Sequence, residues 1–362
     1  MQAVAASVVE HCAPRIRAAR SARRGLITAA LFCTLAGWAC QSTAAIPLAE
    51  RDALIALYTS THGNEWVMNG NWCLGSCPLI GTPTFNDPGT ECTWAGILCD
   101  ATESHVTDIV LFHNHMVGPL PDLSALQSLR VVGLDHNELA GPLPPMTGLA
   151  SLKIFNVHAN RITGPIPDLS GLMSLEMMRL FDNQLSGPIP PLAGLSQLQL
   201  FFASSNELSG PIPPLENLPS LVEFSANDNQ LTGSIPSLDD LPSLDTFSVD
   251  DNQLTGPIPS LDNLPSLSYF SVSGNRLTGP IPDLSNLIAL NHFHVRMNKL
   301  SGPVPAAPNF QPGRASLCPN PLDTTPGPND AGWNAATGHT PWWATPFATN
   351  LCDDLFADTF EN

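Results

Sequence analysis

The chain has 362 residues, with 26 glycines, 36 prolines and only 13% charged residues, so turns must be frequent and long helices few. Its formal net charge at pH 7 is −18. A sequence-independent nucleic-acid binder needs basic surface to displace counterions from phosphates. The acidic balance therefore argues against that class, and we expect no nucleic-acid partner.

The first 45 residues have the features of a secretory signal peptide. Five arginines between Arg15 and Arg24 precede an apolar run of about 14 residues that begins at Leu26, and small residues follow up to Ala45. A membrane-spanning helix needs about 20 apolar residues, so we expect no membrane span. We predict cleavage after Ala45 and a secreted protein, either extracellular, periplasmic or on the cell surface.

Two other targeting signals fit the leader less well. A lipoprotein cleavage site at Cys40 fits badly because Trp38 stands just before the small residue that precedes the cysteine. A mitochondrial presequence would not carry so continuous an apolar core. Removing residues 1–45 leaves 14 − 5 = 9 basic and 32 − 1 = 31 acidic residues, a net charge of −22.

Six cysteines remain, and they lie at the two ends of the mature chain. They are Cys73, Cys77, Cys92, Cys99, Cys318 and Cys352. An even number in a secreted chain predicts disulfide bonds formed in an oxidising compartment. A zinc site would need CxxC pairs with tighter spacing.

A G-x-[ILV]-P unit recurs nine times at intervals of 23 residues, beginning at Gly118 and ending at Gly302. Each copy follows an LxxLxLxxNxL segment. The asparagines of these segments are Asn114, Asn137, Asn160, Asn183, Asn206, Asn229, Asn252, Asn275 and Asn298. This period and pattern are those of leucine-rich repeats, so we predict an α/β-type solenoid of nine 23-residue repeats with short parallel strands on its concave face.

The repeated asparagines are expected to be structural. The backbone of each coil must turn inward after the strand, and a buried polar group without a partner costs about 1–3 kcal/mol. An asparagine amide offers two donors and an acceptor, so stacked asparagines can pair with the backbone of their own and adjacent coils. We therefore predict an asparagine ladder without a catalytic role.

The LxGxIP motif resembles that of the plant-type extracellular leucine-rich repeats of receptor ectodomains and polygalacturonase-inhibiting proteins. The resemblance covers about residues 46–320 and recurs in register nine times. The family's usual unit has one more residue on the convex side, and this chain has no Asn-x-Ser/Thr sequon. Both departures suggest a bacterial variant of the plant form.

The flanking segments resemble the caps of such proteins. By that resemblance Cys92 and Cys99 form the N-terminal capping disulfide, which leaves Cys73 and Cys77 to pair by elimination, and Cys318 pairs with Cys352. The predicted organisation is a signal peptide (1–45), an N-terminal cap (46–105), a solenoid (106–305), a C-terminal cap or extension (306–352) and an acidic tail (353–362).

Alternation along each strand directs the third, fifth, seventh and eighth residues of a unit outward on the concave sheet. Four consecutive units are apolar at the third position, and phenylalanines adjoin them. Such an exposed patch is typical of a binding site, although good strand formers also favour these positions. The predicted ligand-binding residues are Phe112, Val131, Ile154, Met177, Phe181, Leu200, Phe202 and Tyr269.

Two groups of polar residues contain side chains that can bind metal ions. Asp228, Asp250 and Asp251 lie on adjacent predicted strands, but solvated charge explains them more simply than calcium does. His113, His136 and His158 occupy neighbouring outward positions in three successive units. The repeat spacing does not fix a third ligand that would complete a zinc or copper site. We expect no metal and no cofactor.

The sequence contains no HExxH, GxSxG or phosphate-binding glycine loop, and it predicts no enzyme. A glycosidase pair of Asp228 and Asp250 on an open face would lack the desolvation that a general acid needs. We expect a module that binds an extracellular protein or peptide on its concave face. The alternative is a carbohydrate-binding or adhesin protein that uses the aromatic residues, with polysaccharide as its partner. Ice binding ranks last, because Val117 and Ala140 interrupt the Ser/Thr series.

Overall fold

The structure, a computed structural model, describes residues 45–343. Residues 1–44 of the predicted signal peptide, Cys352 and the acidic tail over 353–362 lie outside the described residues. The described chain runs from a helical cap through a solenoid of short strands to a second helix. Within this part of the chain, no helix is both long enough and apolar enough to cross a membrane.

The helices and strands have the following bounds. The helices are α1 (Leu48–Ser60) and α2 (Asp330–Thr337), and short 3₁₀ helices cover Gly63–Glu65 and Glu91–Thr93. In chain order the strands are β1 (Ile97–Cys99), β2 (Val106–Val110), β3 (Val117–Gly118), β4 (Val131–Gly133), β5 (Glu138–Pro142), β6 (Ile154–Asn156), β7 (Arg161–Gly164), β8 (Met177–Arg179), β9 (Gln184–Gly187), β10 (Leu200–Phe202), β11 (Glu207–Pro211), β12 (Glu223–Ser225), β13 (Gln230–Thr232), β14 (Thr246–Ser248), β15 (Thr255–Gly256), β16 (Tyr269–Ser271), β17 (Arg276–Gly279), β18 (His292–His294), β19 (Lys299–Leu300) and β20 (Ala315–Ser316).

The strands of residues 45–343 form one long sheet and two shorter ones. The long, concave sheet has the order β1-β2-β4-β6-β8-β10-β12-β14-β16-β18-β20, with β1 antiparallel to β2 and the other neighbours parallel. The G-x-[ILV]-P segments contribute the shorter sheets, β13-β11-β9-β7-β5-β3 and β15-β17-β19. In the concave sheet Val131 pairs with Ile154 and Ile154 with Met177, an offset of one 23-residue unit. The predicted repeat length and parallel arrangement are confirmed.

The solenoid continues past the predicted boundary at residue 305. Strand β20 adds a further parallel strand after β18, although it is offset by 22 residues, with His294 opposite Ser316. Asn320 then acts as a further rung of the asparagine ladder, since its Oδ1 accepts a hydrogen bond from Leu300 N at 3.0 Å. The C-terminal cap therefore begins inside a tenth coil.

The core contains the inward-facing leucines of every coil, and within it runs a column of residues from the fourth position of each unit. From the fifth coil to the ninth this residue is phenylalanine, and all five rings are fully buried. Neighbouring rings in this phenylalanine stack lie 5.3 to 5.8 Å apart with their planes within 18° of parallel. The stack comprises Phe201, Phe224, Phe247, Phe270 and Phe293. Offset aromatic pairs stabilise beyond their buried area, so the stack favours one fixed register between coils.

The N-terminal cap covers the first coil with aromatic side chains. Tyr58 of α1 packs with Trp66, Trp72 and Phe85, and Trp94 extends the cluster, with centroid distances of 4.6 to 6.1 Å. Such a cap is needed because a terminal coil would otherwise expose its core to water.

Disulfides and a buried carboxylate fasten this cap. The structure contains the Cys73–Cys77 and Cys92–Cys99 disulfides, which are the pairs that the sequence predicts. Glu50 of α1 is 3% exposed and accepts hydrogen bonds from His105 Nδ1 at 2.6 Å and Val106 N at 2.8 Å. The carboxylate therefore connects α1 to the first strand of the solenoid, and its hydrogen bond raises the pKa of His105.

At the other end α2 closes the phenylalanine stack. Its Trp333 is fully buried, with its ring 6.2 Å from Phe293 and 5.9 Å from Phe310. The indole Nε1 donates to Pro305 O at 2.7 Å. Cys318 is disulfide-bonded, and its predicted partner Cys352 lies outside the described residues.

Candidate functional site

The asparagine ladder occupies the edge of the concave sheet and makes a repeating set of contacts. In Asn183 the amide Nδ2 donates to Val157 O and Leu180 O, both at 3.0 Å, and to Phe181 O at 3.3 Å. Its Oδ1 accepts from Ile162 N at 2.9 Å. The same offsets recur at Asn137, Asn160, Asn206, Asn229, Asn252, Asn275 and Asn298. At the start of the ladder, Asn114 contacts the backbone of Met68 in the cap instead.

The residue before each ladder asparagine has a left-handed backbone conformation, with φ between 49° and 65° in the nine units. These residues are His113, His136, Ala159, Asp182, Ser205, Asp228, Asp251, Gly274 and Met297. Their shared conformation turns the chain inward towards the ladder. Counted from the first leucine of LxxLxLxxN, the residues at the seventh and eighth positions of each unit therefore lie side by side along one edge of the concave sheet.

The predicted aliphatic residues form a continuous column. Val131, Ile154, Met177 and Leu200 each begin a strand and are paired directly across neighbouring strands. Three of them are half-buried, but Met177 is only 7% exposed. Met177 is therefore less accessible to a ligand than its outward position in the strand predicts.

Beside this aliphatic column runs a chain of six rings in mutual contact, which we call the ring track. It comprises Phe112, His113, His136, His158, Phe181 and Phe202. Successive centroids lie between 4.1 and 6.5 Å apart, and the His113–His136 and His158–Phe181 pairs are stacked. Phe112, at the cap end, is 47% exposed. Together the two features give the first five coils an ordered surface of aromatic and aliphatic side chains.

Polar groups hold the middle of the ring track in place. Asn156 Oδ1 lies 2.7 Å from His158 Nδ1, and Asn156 Nδ2 donates to Asp135 Oδ1 at 2.8 Å. Burial is the main cause that lowers the pKa of His158, whereas nearby Asp135 raises it. The guanidinium carbon of Arg179 lies 5.6 Å from the centroid of Phe202, within the range of a cation–π contact.

Tyr269 is not part of this surface. It lies three strands beyond Leu200, about 14 Å away at the usual strand spacing. Its ring contacts those of His292 and His294, at 5.3 and 5.8 Å. The sequence grouped Tyr269 with the apolar residues, but the structure places it in a separate polar region near the C-terminal end.

This polar region contains a depression of about 520 Å³ that includes Tyr269, Asp251, His294 and Arg296 in its lining. Burial, and the nearby Asp228 and Asp250, raise the pKa of Asp251, and Arg296 opposes the shift. Burial also lowers the pKa of His294. Acidic and basic side chains thus face the same depression.

Asp250 has a structural role in this region. Its Oδ1 accepts from Ser271 Oγ at 2.5 Å and Ser273 N at 2.7 Å, and its Oδ2 accepts from Ser248 Oγ at 3.1 Å. These hydrogen bonds hold the carboxylate against the sheet. They give Asp250 a reason to be present that needs neither a calcium ion nor a glycosidase mechanism.

Comparison with known proteins agrees with the coil geometry. The Leucine Rich Repeat family model matches residues 266–287, which include β16 and its flanking leucines. The chain is a leucine-rich repeat solenoid. No match is found among the curated proteins.

Solved leucine-rich repeat structures share its fold. The ectodomain of the Arabidopsis thaliana receptor kinase GASSHO1/SCHENGEN3, in complex with CASPARIAN STRIP INTEGRITY FACTOR 2, is 31% identical with a TM-score of 0.57; the match covers 64% of this chain and 32% of that one. The plant peptide hormone receptor RGFR1, in complex with RGF2, is 30% identical with a TM-score of 0.53, over 57% of this chain and 36% of that one. The solenoid therefore spans about a third of the length of these receptor chains.

A plant ice-binding protein matches more of the chain with fewer identities. It is 22% identical with a TM-score of 0.52, and the match covers 78% of this chain and 99% of that one. At this identity the likeness shows the leucine-rich repeat fold alone.

Proposed function

We propose that the chain is a secreted, non-enzymatic leucine-rich repeat module that binds a protein or peptide on its concave face. The observation that carries this proposal is the ring track beside the aliphatic column in the first five coils. Aromatic side chains bury large areas on binding, and rings that already contact one another lose little further freedom when a ligand covers them. The ordered apolar surface is suited to an extended peptide or a protein loop.

The ectodomains with this fold support the same class of partner, because RGFR1 is a peptide hormone receptor in complex with RGF2 and GASSHO1/SCHENGEN3 is in complex with CASPARIAN STRIP INTEGRITY FACTOR 2. Secretion is supported by the cap disulfides, since such bonds persist in oxidising compartments. The non-enzymatic part is supported by Asp250, because the hydrogen bonds of its carboxylate to Ser248 and Ser271 give it a structural role.

The test is a selection of displayed random peptides on the immobilised protein, with a glycan array probed in parallel. We expect the wild type to enrich peptides rich in apolar residues, and Leu200→Asp to lose them because it introduces a charge into the aliphatic column. Ile288→Asp is the matched control, since Ile288 is 91% exposed on the return segment between β17 and β18. Far-UV circular dichroism shows whether each variant is folded.

The outcomes separate the two candidate partners. Peptides retained by Ile288→Asp and lost by folded Leu200→Asp would support a protein or peptide ligand. Glycan binding without peptide enrichment would contradict the proposal and favour a carbohydrate-binding protein or adhesin.

A further inference from the structure

Three potential metal ligands meet on adjacent coils in the middle of the ring track. A carboxylate oxygen of Asp135 and one ring nitrogen each of His136 and His158 all lie within 4.8 Å of one another. Spacing in the sequence leaves the two histidines without a third ligand, and the structure supplies it in Asp135. Imidazole nitrogen and carboxylate oxygen together suit zinc and neighbouring divalent transition metals.

The separation of the first two ligands is already close to that in a metal site. Asp135 Oδ2 and His136 Nδ1 lie 3.1 Å apart. Two atoms that bind one zinc ion at about 2.0–2.2 Å are separated by about 3 Å or slightly more. The ring nitrogen that His158 contributes lies within 4.8 Å of the ligand atoms of Asp135 and His136.

Asn156 sets the protonation of His158 in a way that favours metal binding. Asn156 Nδ2 donates to the Asp135 carboxylate at 2.8 Å, so its Oδ1 faces His158 Nδ1 at 2.7 Å as an acceptor. The Nδ1 of His158 therefore carries the proton, and the lone pair of Nε2 remains free. Such a partner on the other ring nitrogen is typical of histidines that bind metals.

Ring packing orders both histidines before any ion arrives. The His158 ring stacks on Phe181 at 4.1 Å and meets the His136 ring at 4.6 Å and 84°. On its other side His136 stacks on His113 at 4.2 Å. A metal ion binds in the plane of an imidazole, whereas His113 lies against the face of the His136 ring. His113 is thus a neighbouring histidine outside the ligand set.

We propose that Asp135, His136 and His158 bind a divalent transition metal ion of the zinc type. Three protein ligands leave coordination positions open, as in zinc sites that also hold water or substrate. Because His136 and His158 belong to the ring track and Asp135 adjoins them, these positions lie at the concave surface and can take a donor atom from water or from a ligand bound there. The metal site stands independently of the proposed peptide binding.

Isothermal titration of the untagged full chain, freed of metal with EDTA and titrated with Zn²⁺, tests the site, with Co²⁺ absorption as a second reading. We expect one ion per chain. His158→Gln and Asp135→Asn should each weaken binding by about tenfold or more, and Asn156→Ala, which removes the partner of His158, by about 10–100-fold. His113→Gln is the matched control: it removes only a stacking neighbour of His136 and should weaken binding much less than His158→Gln does.

Two results would overturn the proposal. One is an absence of saturable Zn²⁺ uptake by the folded wild type. The other is a loss of affinity in His113→Gln as large as in His158→Gln, which would indicate diffuse binding to exposed histidines. Circular dichroism of each variant confirms that the solenoid is folded in every comparison.

Discussion

A single asparagine side chain in each coil hydrogen-bonds to backbone groups of two coils. In Asn206 the amide donates to Leu180 O of the preceding coil at 3.1 Å and to Ala203 O at 3.2 Å, while Oδ1 accepts from Leu185 N at 2.9 Å. Without the amide, these inward-turned backbone groups would be left without a partner in a site that water reaches poorly. Each ladder asparagine therefore has a structural role. One asparagine recurs in every unit because every coil makes the same inward turn.

Asn206→Ala should lower the free energy of unfolding by about 2 kcal/mol or more, because it removes the partner of several buried backbone groups. The matched control is Asn263→Ala, whose exposed side chain donates to Asp239 Oδ1 at 3.1 Å and which should change stability by less than about 0.5 kcal/mol. Urea unfolding followed by circular dichroism measures both. Equal midpoints for the two variants would show that the ladder does not stabilise the coil.

Glu223 carries a destabilised charge on the concave sheet. Burial, with a smaller effect of Asp245, raises its pKa in the folded state, and Arg179 opposes the shift. Since the unfolded chain then loses the proton at lower pH than the folded one, stability falls as pH rises through the interval between the two pKa values. Glu223→Gln removes this effect.

The variant should therefore melt at a higher temperature than the wild type at pH 7, and the difference should shrink towards pH 4. Melting curves at both pH values check this expectation. A variant that is less stable than the wild type at pH 7 would show that the charged form is favoured in the folded protein.

At the scale of elements, glycines set how closely segments approach. Gly118 in β3 has φ 118°, and a Cβ atom there would lie 2.3 Å from Ser60 O at the end of α1. Gly141, in the next coil, has φ 86°, but its Cβ would lie 3.5 Å from Pro119 Cβ, an ordinary contact. The two positions share a backbone conformation that favours glycine and differ in steric room.

Both Gly118→Ala and Gly141→Ala should destabilise, since a left-handed conformation costs an ordinary residue about 1–2 kcal/mol. Gly118→Ala should cost clearly more, because its methyl group collides with the backbone of the cap. Thermal unfolding of the two variants measures the difference. Equal losses would mean that the junction between cap and solenoid can relax.

At the scale of the whole molecule, the repeat made the fold predictable. Nine units in fixed register define strands, ladder and core without any contact information, since each coil packs only on its neighbours. The tenth rung was missed because Asn320 follows a coil one residue shorter, although the LxxNxL pattern from Leu317 to Leu322 does contain the signal.

The candidate site was only partly predictable. Alternation along the strands predicts that Val131, Ile154 and Leu200 point outward. The burial of Met177 depends instead on how neighbouring side chains pack, which the alternation does not describe. The His113–His136 and His158–Phe181 contacts each lie at one outward position of successive coils, but the other three contacts of the ring track join different positions, so no single position shows the whole track. In the same way, Asp135 joins His158 through the side chain of Asn156, and the sequence carries no spacing signal for that link.

The most direct test of the proposed binding surface is the affinity of a selected peptide, measured by isothermal titration against Phe112→Ser, Ile154→Ser and the return-side control Ile288→Ser. If the ring track and the aliphatic column bind the ligand, the first two variants should each weaken binding by about tenfold or more. Ile288→Ser should leave it unchanged. Unchanged affinity in both concave variants, with all proteins folded, would contradict the assignment and place the ligand elsewhere on the solenoid.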